Sequence, residues 1–177
     1  MTTDVDARCL ETFPEWLRTL GADATALADA LAEGQTPAEA RRILAGAINY
    51  LFKSVDLIPD GIDDIGYLDD AFVLRLAAAQ AVAAGLAGDV AALAADAALV
   101  KDFLGADYAR LDRYVTGLRK GSARGRSVDA IVADAAVCRE LAADVTGFAG
   151  GYGAPSFARE QRTLIKLRAF FDARLPR

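Results

Sequence analysis

Histidine is absent from this 177-residue chain, and its absence removes a wide range of chemistry. Histidine is the commonest general base, a member of the usual catalytic triads and a frequent zinc ligand. The chain also lacks a phosphate-binding loop, because the glycine-rich stretch 147–153 has neither the lysine nor the preceding strand of that motif. The interpretation therefore leans towards a protein that is not an enzyme.

Cysteine is scarce, since Cys9 and Cys138 are the only two. A disulfide framework needs more cysteines in a domain of this size, so free thiols in a reducing compartment are expected. Both cysteines lie on apolar stripes and are predicted to be buried structural thiols. The acidic N-terminus lacks a signal-peptide pattern, and the uncharged run 76–88 is too short for a membrane span. A cytoplasmic location is predicted.

Segments of alternating polar and apolar residues are also missing, which argues against β-structure. Apolar residues instead recur at three- and four-residue steps, as is typical of amphipathic helices. The stripes are short and interrupted by loops. We therefore predict an all-α fold, a compact multi-helix bundle that forms a single domain over residues 1–177. Its centre is predicted to be an antiparallel helical hairpin over residues 40–86.

Glycine, proline and capping residues predict where the first helices begin and end. One helix is expected to stop at Gly21, and a short second helix is expected to end near Gly34. Thr36 is then expected to cap the first helix of the hairpin, with Pro37 in its first turn and Glu39 completing a capping box.

The C-terminal third is predicted in the same way. Residues 117–127 are rich in glycine and arginine and predict a loop, whereas residues 128–145 predict one long helix. Residues 147–155 contain four glycines and predict a linker. The last helix is expected within residues 156–177, with Ser156 as its cap.

The most distinctive stretch runs from Asp56 to Asp70, where six aspartates fall within fifteen residues. Apolar residues lie between them, which indicates that the carboxylates are held next to a core. Helices are predicted on both sides of this stretch. The hairpin is therefore expected to bring Asp56 and Asp60 of the connection close to Asp69 and Asp70 of the second helix.

Two interpretations of these four aspartates remain open. In the first they are structural: Asp69 and Asp70 stabilise a helix start, while Asp56 and Asp60 form turns with local backbone N–H groups. In the second they converge on a divalent cation, because hard oxygen ligands suit Mg²⁺ or Ca²⁺. Tyr67 is a candidate to donate a hydrogen bond to one of the carboxylates.

The same stretch resembles a known family. Residues 50–60 (YLFKSVDLIPD) followed by residues 66–70 (GYLDD) are similar to the signature of the YkvA-like family of bacterial domains of unknown function. The resemblance covers about residues 40–80 and implies a helical hairpin, often linked to membranes, with no established activity. Here Asp63 and Asp64 stand where that family usually carries an apolar run, and added carboxylates make insertion into hydrocarbon costly.

Charge is divided unevenly along the chain. Residues 1–100 carry a net charge of −10 and residues 101–177 carry +5, an asymmetry that favours packing of the two halves against each other. The cations of the last helix are expected to pair with the acidic half or with another subunit. The densest cationic patch comprises Arg119, Lys120, Arg124 and Arg126. It lacks interleaved aromatic residues, so nucleic acid is not expected as a partner.

These observations favour a non-enzymatic interaction or scaffold module that binds an unidentified protein or a second copy of itself. One alternative is a regulatory or hydrolytic site for Mg²⁺ or Ca²⁺ built from Asp56, Asp60, Asp69 and Asp70. Another is peripheral association with an anionic membrane through the basic C-terminal half.

Overall fold

Helices make up most of the computed structural model, which describes residues 3–177. The helices are α1 (Asp4–Ala32), α2 (Ala38–Tyr50), α3 (Leu68–Ala83), α4 (Ala91–Leu104), α5 (Tyr108–Gly117), α6 (Val128–Ala133), α7 (Ala135–Gly151) and α8 (Gln161–Arg174). The all-α fold class predicted from the sequence is confirmed. Among the described residues, no helix is both long enough and apolar enough to cross a membrane.

The core is organised around α3, which is buried along most of its length and packs against α1, α2 and α4. A helix that is apolar on every face is typical of a fully buried position. Phe72 stands at its centre, with ring centroids 5.1 Å from Phe13 of α1 and 5.9 Å from Phe103 of α4. Phe171 of α8 stacks on the same ring at 5.2 Å. One aromatic cluster therefore joins four helices.

Both cysteines are buried free thiols, as predicted. Burial raises the pKa of Cys9 to about 12, because the charged thiolate loses hydration in the core. The Cys9 thiol therefore stays protonated and unreactive at neutral pH.

The predicted helix end at Gly21 is wrong, because α1 continues without a break to Ala32. A Cβ atom at Gly21 would lie 3.2 Å from the Cα atom of Ala149 in α7. Glycine at this position therefore allows two helices to approach closely instead of ending one. The tertiary contact outweighs the low helix propensity of glycine.

The predicted capping box before α2 is also wrong. The Thr36 hydroxyl donates to the Ala30 carbonyl oxygen at 2.5 Å, which ties the connection back to the end of α1. Pro37 takes the N-cap position and provides no side-chain hydrogen bond. Glu39 forms an ion pair with Arg119. The Thr36 and Glu39 side chains therefore form tertiary contacts in place of the local cap.

The helix predicted over residues 128–145 is divided at Asp134, which separates α6 from α7. The Asp134 backbone is extended, and its Oδ1 atom accepts a hydrogen bond from the Ala136 N–H at 2.8 Å. An aspartate that caps a new helix in this way interrupts an otherwise continuous apolar stripe. The segment predicted as a loop contains a short antiparallel ribbon of β1 (Ser122–Ala123) and β2 (Arg126–Ser127).

The last connection begins later in the chain than predicted, because α7 includes the glycines up to Gly151. Residues 152–160 then lead to α8, which begins at Gln161 and not next to Ser156. Glu160 occupies the N-cap position without a side-chain hydrogen bond, so the expected Ser156 cap is wrong.

Ion pairs join the acidic and basic parts of the chain, as the charge asymmetry predicted. Arg168 of α8 donates to Asp6 of α1 at 2.7 Å, and Arg119 pairs with Glu39 of α2. A further pairing, inside the core, was not predicted from the sequence. Arg75 of α3 is only 2% exposed, contacts Asp23 and Asp96 at 3.1 Å each, and is therefore neutralised inside the bundle.

Candidate functional site

The connection between α2 and α3, residues 51–67, folds tightly enough to place its aspartates against the start of α3. The Gly66 N–H donates to the Ile62 carbonyl oxygen at 2.8 Å. A Cβ atom at Gly66 would lie only 2.3 Å from the Asp60 carbonyl oxygen. Tyr67 follows with a left-handed backbone, φ 66°, a conformation that costs free energy for a residue with a Cβ atom. The turn therefore depends on glycine and stores strain where α3 begins.

Asp69 is fully buried at the start of α3 and holds three parts of the hairpin together. Its Oδ2 atom accepts hydrogen bonds from the Tyr50 hydroxyl at 2.5 Å and from the Ile58 N–H at 3.1 Å. The Tyr50 hydroxyl oxygen in turn accepts from the Leu57 N–H at 2.7 Å. One carboxylate and one phenol therefore connect the end of α2, the connection and the first turn of α3.

Three buried carboxylate oxygens near this junction have no hydrogen-bond partner. They are Asp56 Oδ1, Asp69 Oδ1 and Asp70 Oδ2. A buried acceptor without a donor is unfavourable by about 1–3 kcal/mol, and by more when it is charged. The cluster is therefore stable only if protons or a cation neutralise part of its charge.

The pKa values of the four aspartates respond to this environment. Burial, together with the charges of Asp69 and Asp60, raises the pKa of Asp56 to about 7. Burial also raises the pKa of Asp69 to about 6, although the hydrogen bonds from Tyr50 and Ile58 oppose the shift. Burial, followed by the charge of Asp69, raises the pKa of Asp70 well above its usual range, and burial raises that of Asp60. The cluster therefore retains protons close to neutral pH.

The structure thus brings Asp56, Asp60, Asp69 and Asp70 close enough to influence one another's ionisation. Within residues 3–177, however, no group of three or more His, Cys, Asp or Glu side chains has an arrangement that could hold a metal ion. The four carboxylates are neighbours without forming a ready-made ligand set.

Asp69 has a structural role, as in the first interpretation, but its hydrogen bonds are not those of a helix cap. Asp69 uses its Oδ2 atom to bridge to another helix, whereas a simple helix cap would satisfy only its own backbone. The expected turns at Asp56 and Asp60 are wrong, since in the described residues no backbone N–H donates a hydrogen bond to either carboxylate. Desolvation, not capping, dominates the pKa at both positions, and at Asp56 the charges of Asp69 and Asp60 add to it.

The expected hydrogen bond from Tyr67 is also wrong. The Tyr67 ring packs against Tyr152 and Phe148, with centroids 5.3 and 6.2 Å apart. Tyr50 is the phenol that donates to the cluster, and this role was not predicted from the sequence. Its position in the last turn of α2, just before the acidic connection, was the available signal.

Asp60 provides the solvent-facing edge of the cluster. It lines an open cleft of about 420 Å³ together with Phe52, Tyr67 and Arg124. The predicted cationic patch is largely paired here, because Arg124 and Arg126 contact Asp144 at 3.4 and 2.6 Å. Little of the patch is therefore free to form an extended anion-binding surface.

Comparison with known proteins connects this hairpin to a family. The model of a family described as a protein of unknown function (DUF1232) matches residues 40–76, which include all four aspartates and Tyr50. The match supports the hairpin as the family-like part of the chain and brings no activity with it, while the finer YkvA-like name stays a prediction. No curated protein and no solved structure matches the chain.

Proposed function

We propose that this protein is a non-enzymatic interaction module that associates with a second copy of itself through the α2–α3 connection. The observation that carries the proposal is the exposure of Val55, whose side chain is 71% exposed. Val55 lies in the α2–α3 connection, and the hydrogen bond between Tyr50 and Asp69 joins the two ends of that connection. A large apolar side chain exposed on this connection is suited to a protein contact.

The interior of the aspartate cluster supports a structural role and not catalysis. Asp69 and Asp70 are 0% and 3% exposed, so a substrate has no direct approach to their carboxylates. A general acid or base must come within hydrogen-bond reach of the group that it protonates or deprotonates. The cluster instead sets the shape of the connection that carries Val55.

The surface around Val55 carries charges of both signs, which supports a twofold contact between identical chains. Val55 lines a cleft of about 480 Å³ with Phe52, Lys53 and Arg124. Phe52 and Arg124 also line the cleft that contains Asp60, so the two clefts adjoin. In a twofold dimer the same patch meets itself. Arg124 of each copy would then face Asp60 of the other, with Val55 near the axis.

Sedimentation velocity over a range of protein concentrations tests this proposal. The wild type is expected to associate reversibly, and Val55→Asp is expected to weaken the association by at least about 10-fold, because a carboxylate would be buried at the contact. Ile165→Asp is the matched control, since Ile165 of α8 is also an exposed β-branched residue, at 60%. A wild type that stays monomeric at all concentrations, or equal losses in the two variants, would overturn the proposal.

A divalent-cation site is the second candidate, supported by the unpartnered oxygens of Asp56, Asp69 and Asp70. Binding of Mg²⁺ or Ca²⁺ would supply the positive charge that these oxygens lack. Because no ligand set is arranged beforehand among the described residues, the carboxylates would have to rotate towards the ion.

Calorimetric titration with Mg²⁺, Ca²⁺ and Mn²⁺ separates this candidate from a purely structural cluster. If a cation binds, Asp56→Asn should abolish the heat, whereas Asp63→Asn should retain it because Asp63 is exposed in the same stretch. Absence of heat at millimolar metal with the wild type would rule the site out.

Peripheral association with an anionic membrane remains a third proposal, and it draws its support from Lys120 and from Lys53 beside Val55. Flotation with neutral and anionic vesicles tests it. Greater recovery with anionic vesicles, lost at high salt, is the expected result because exposed charges are screened. Equal recovery with both vesicle types would contradict it.

A further inference from the structure

A third cleft, of about 370 Å³, lies between the connection after α2 and the end of α5. Its volume falls within the range of about 300–1,000 Å³ that is usual for small-molecule sites. The cations that line it are Lys53, Arg110, Arg113 and Arg177. No acidic residue lines it among the residues that the structure describes. In a chain of net charge −5, this is a local concentration of positive charge.

The cations of this cleft differ in how far they are already neutralised. Arg110 is fully used, because it contacts Asp107 at 2.8 Å and Asp172 at 3.1 Å and donates to the Leu175 carbonyl oxygen at 2.6 Å. Arg113 is exposed and has no hydrogen bond or ion pair within the described part of the chain. An anion that entered the cleft would therefore meet Arg113 without displacing an existing partner.

Lys53 also forms no ion pair among the described residues, although its charge acts on Asp56, and it is held in place. Its Nζ atom lies 5.9 Å from the ring centroids of both Tyr50 and Tyr114. A cation held by two aromatic rings is partly ordered before a ligand arrives, which lowers the entropic cost of binding. In the described structure, Lys53 and Arg113 are thus two cations that form no ion pair and line one concave site.

The rest of the lining is apolar or aromatic. Tyr114, Leu118 and Pro176 line the same cleft as the cations. Tyr114 also lies against Tyr50, with ring centroids 6.1 Å apart, so one wall of the cleft rests on the residue that binds Asp69. This arrangement suits a ligand with a charged end and a flat or apolar body.

We propose that the cleft binds a phosphorylated small molecule, with Lys53 and Arg113 contacting its phosphate groups and Tyr114 packing against its body. A guanidinium group and an ammonium group together match the charge of a phosphate ester and provide several charge-assisted hydrogen bonds. The proposal does not depend on self-association through Val55, since Val55 and Arg124 do not line this cleft, and Arg113 tests it separately because only Lys53 lines both clefts.

Isothermal titration of the full chain tests the site with three probes: ADP, inorganic pyrophosphate and inositol trisphosphate. Saturable binding of ADP or inositol trisphosphate with one site per chain is expected, and binding should weaken as salt rises. Arg113→Gln should weaken it by about 10-fold, the loss expected for a charge-assisted contact. Lys53→Met should weaken it similarly while preserving the aliphatic part of the side chain.

Arg139→Gln is the matched control, because Arg139 of α7 is exposed, has no ion pair in the described structure and does not line the cleft. It should leave affinity unchanged, and an unchanged melting temperature should show that Arg113→Gln folds. Tighter binding of ADP would assign the site to soluble nucleotides, and tighter binding of inositol trisphosphate to a lipid headgroup. Absence of heat from all three probes would overturn the proposal. An equal loss of affinity in Arg139→Gln and Arg113→Gln would also overturn it. So would binding of pyrophosphate as tight as that of the two larger probes.

Discussion

At the scale of single residues, Tyr50 and Asp69 decide how the hairpin is held. The Tyr50 hydroxyl donates to Asp69 and accepts from Leu57. Tyr50→Phe would leave a buried carboxylate oxygen and a buried N–H group with fewer partners. We expect it to lower the free energy of unfolding by about 2–4 kcal/mol, the sum expected for two such losses.

Urea denaturation measures this change. Tyr108→Phe is a suitable control, because Tyr108 is a half-buried tyrosine without a hydrogen bond in the described structure. It should alter stability by less than about 0.5 kcal/mol. Equal effects of the two substitutions would show that the Tyr50–Asp69 bond does not hold the hairpin.

The raised carboxyl pKa values of the cluster predict an unusual pH dependence. Since the folded-state pKa values of Asp56 and Asp69, about 7 and about 6, exceed the unfolded value of about 3.9, the folded protein binds protons more tightly. This contribution to stability is complete below the unfolded pKa and is lost as the pH rises through 6 to 7. The wild type should therefore be more stable at pH 5 than at pH 8.

Asp70→Asn tests the origin of this dependence, because it removes a buried carboxylate whose pKa is raised well above the usual range. Thermal melts across pH should show a smaller decline in this variant than in the wild type. Asp63→Asn, at an exposed position, should keep the wild-type decline. A wild type equally stable at pH 5 and pH 8 would contradict the assignment.

The sequence predicted the aspartates of the cluster but not the side chain that donates to Asp69, and the reason is physical. The mixture of aspartates and apolar residues in one stretch indicated that carboxylates would lie near the core. The donor to Asp69 was not predictable from local pattern, because Tyr50 reaches it only after α2 and α3 have packed. Local capping rules predict hydrogen bonds from nearby backbone N–H groups. In the folded protein, the buried Asp69 carboxylate instead accepts a hydrogen bond from Tyr50 of another helix.

At the scale of elements, glycine has two roles that sequence patterns do not separate. Gly21 was predicted to end a helix, but it lies within α1 where α7 approaches. Gly66 lies in the connection before α3, where the close approach of the Asp60 carbonyl oxygen requires a residue without a Cβ atom. Asp134 shows the reverse error, since a continuous apolar stripe concealed a helix start. Periodicity identifies helices well, but their ends depend on tertiary contacts.

Gly66→Ala tests the close approach at the start of α3. An added Cβ atom would lie 2.3 Å from a backbone oxygen, which only a shift of the backbone can relieve. We expect a loss of about 3 kcal/mol or more, comparable with severe overpacking. Gly61→Ala is the control within the same connection, because nothing lies within 4 Å of its added Cβ atom. Equal melting temperatures for the two variants would contradict the expected strain.

At the scale of the whole molecule, the division of charge is used mainly inside the fold. The patch at residues 119–126 was considered for an external anion, yet Arg119, Arg124 and Arg126 all pair with carboxylates of the same chain. Composition predicted that the two halves would attract each other. It did not identify Arg113 and Lys53 as two of the cations that form no ion pair in the described structure, because pairing depends on which helices meet.

Arg168 connects the last helix to the rest of the molecule and supports a final prediction. It donates to Asp6 at 2.7 Å and to the Phe103 carbonyl oxygen at 3.1 Å, and its guanidinium carbon lies 4.2 Å from the Phe103 ring centroid. Arg168→Ala would leave the buried Asp6 without its cation, which we expect to destabilise the fold by about 2 kcal/mol, somewhat less than for a fully buried pair.

Hydrogen exchange in this variant should then be faster in α8 than in α3, because the loss of the Arg168 contacts frees one end of a local unit. Arg174→Ala, at an exposed position of the same helix, should leave the exchange rates of α8 and α3 unchanged. Equally fast exchange of α8 in both variants would show that the Arg168 contacts do not hold α8 in place.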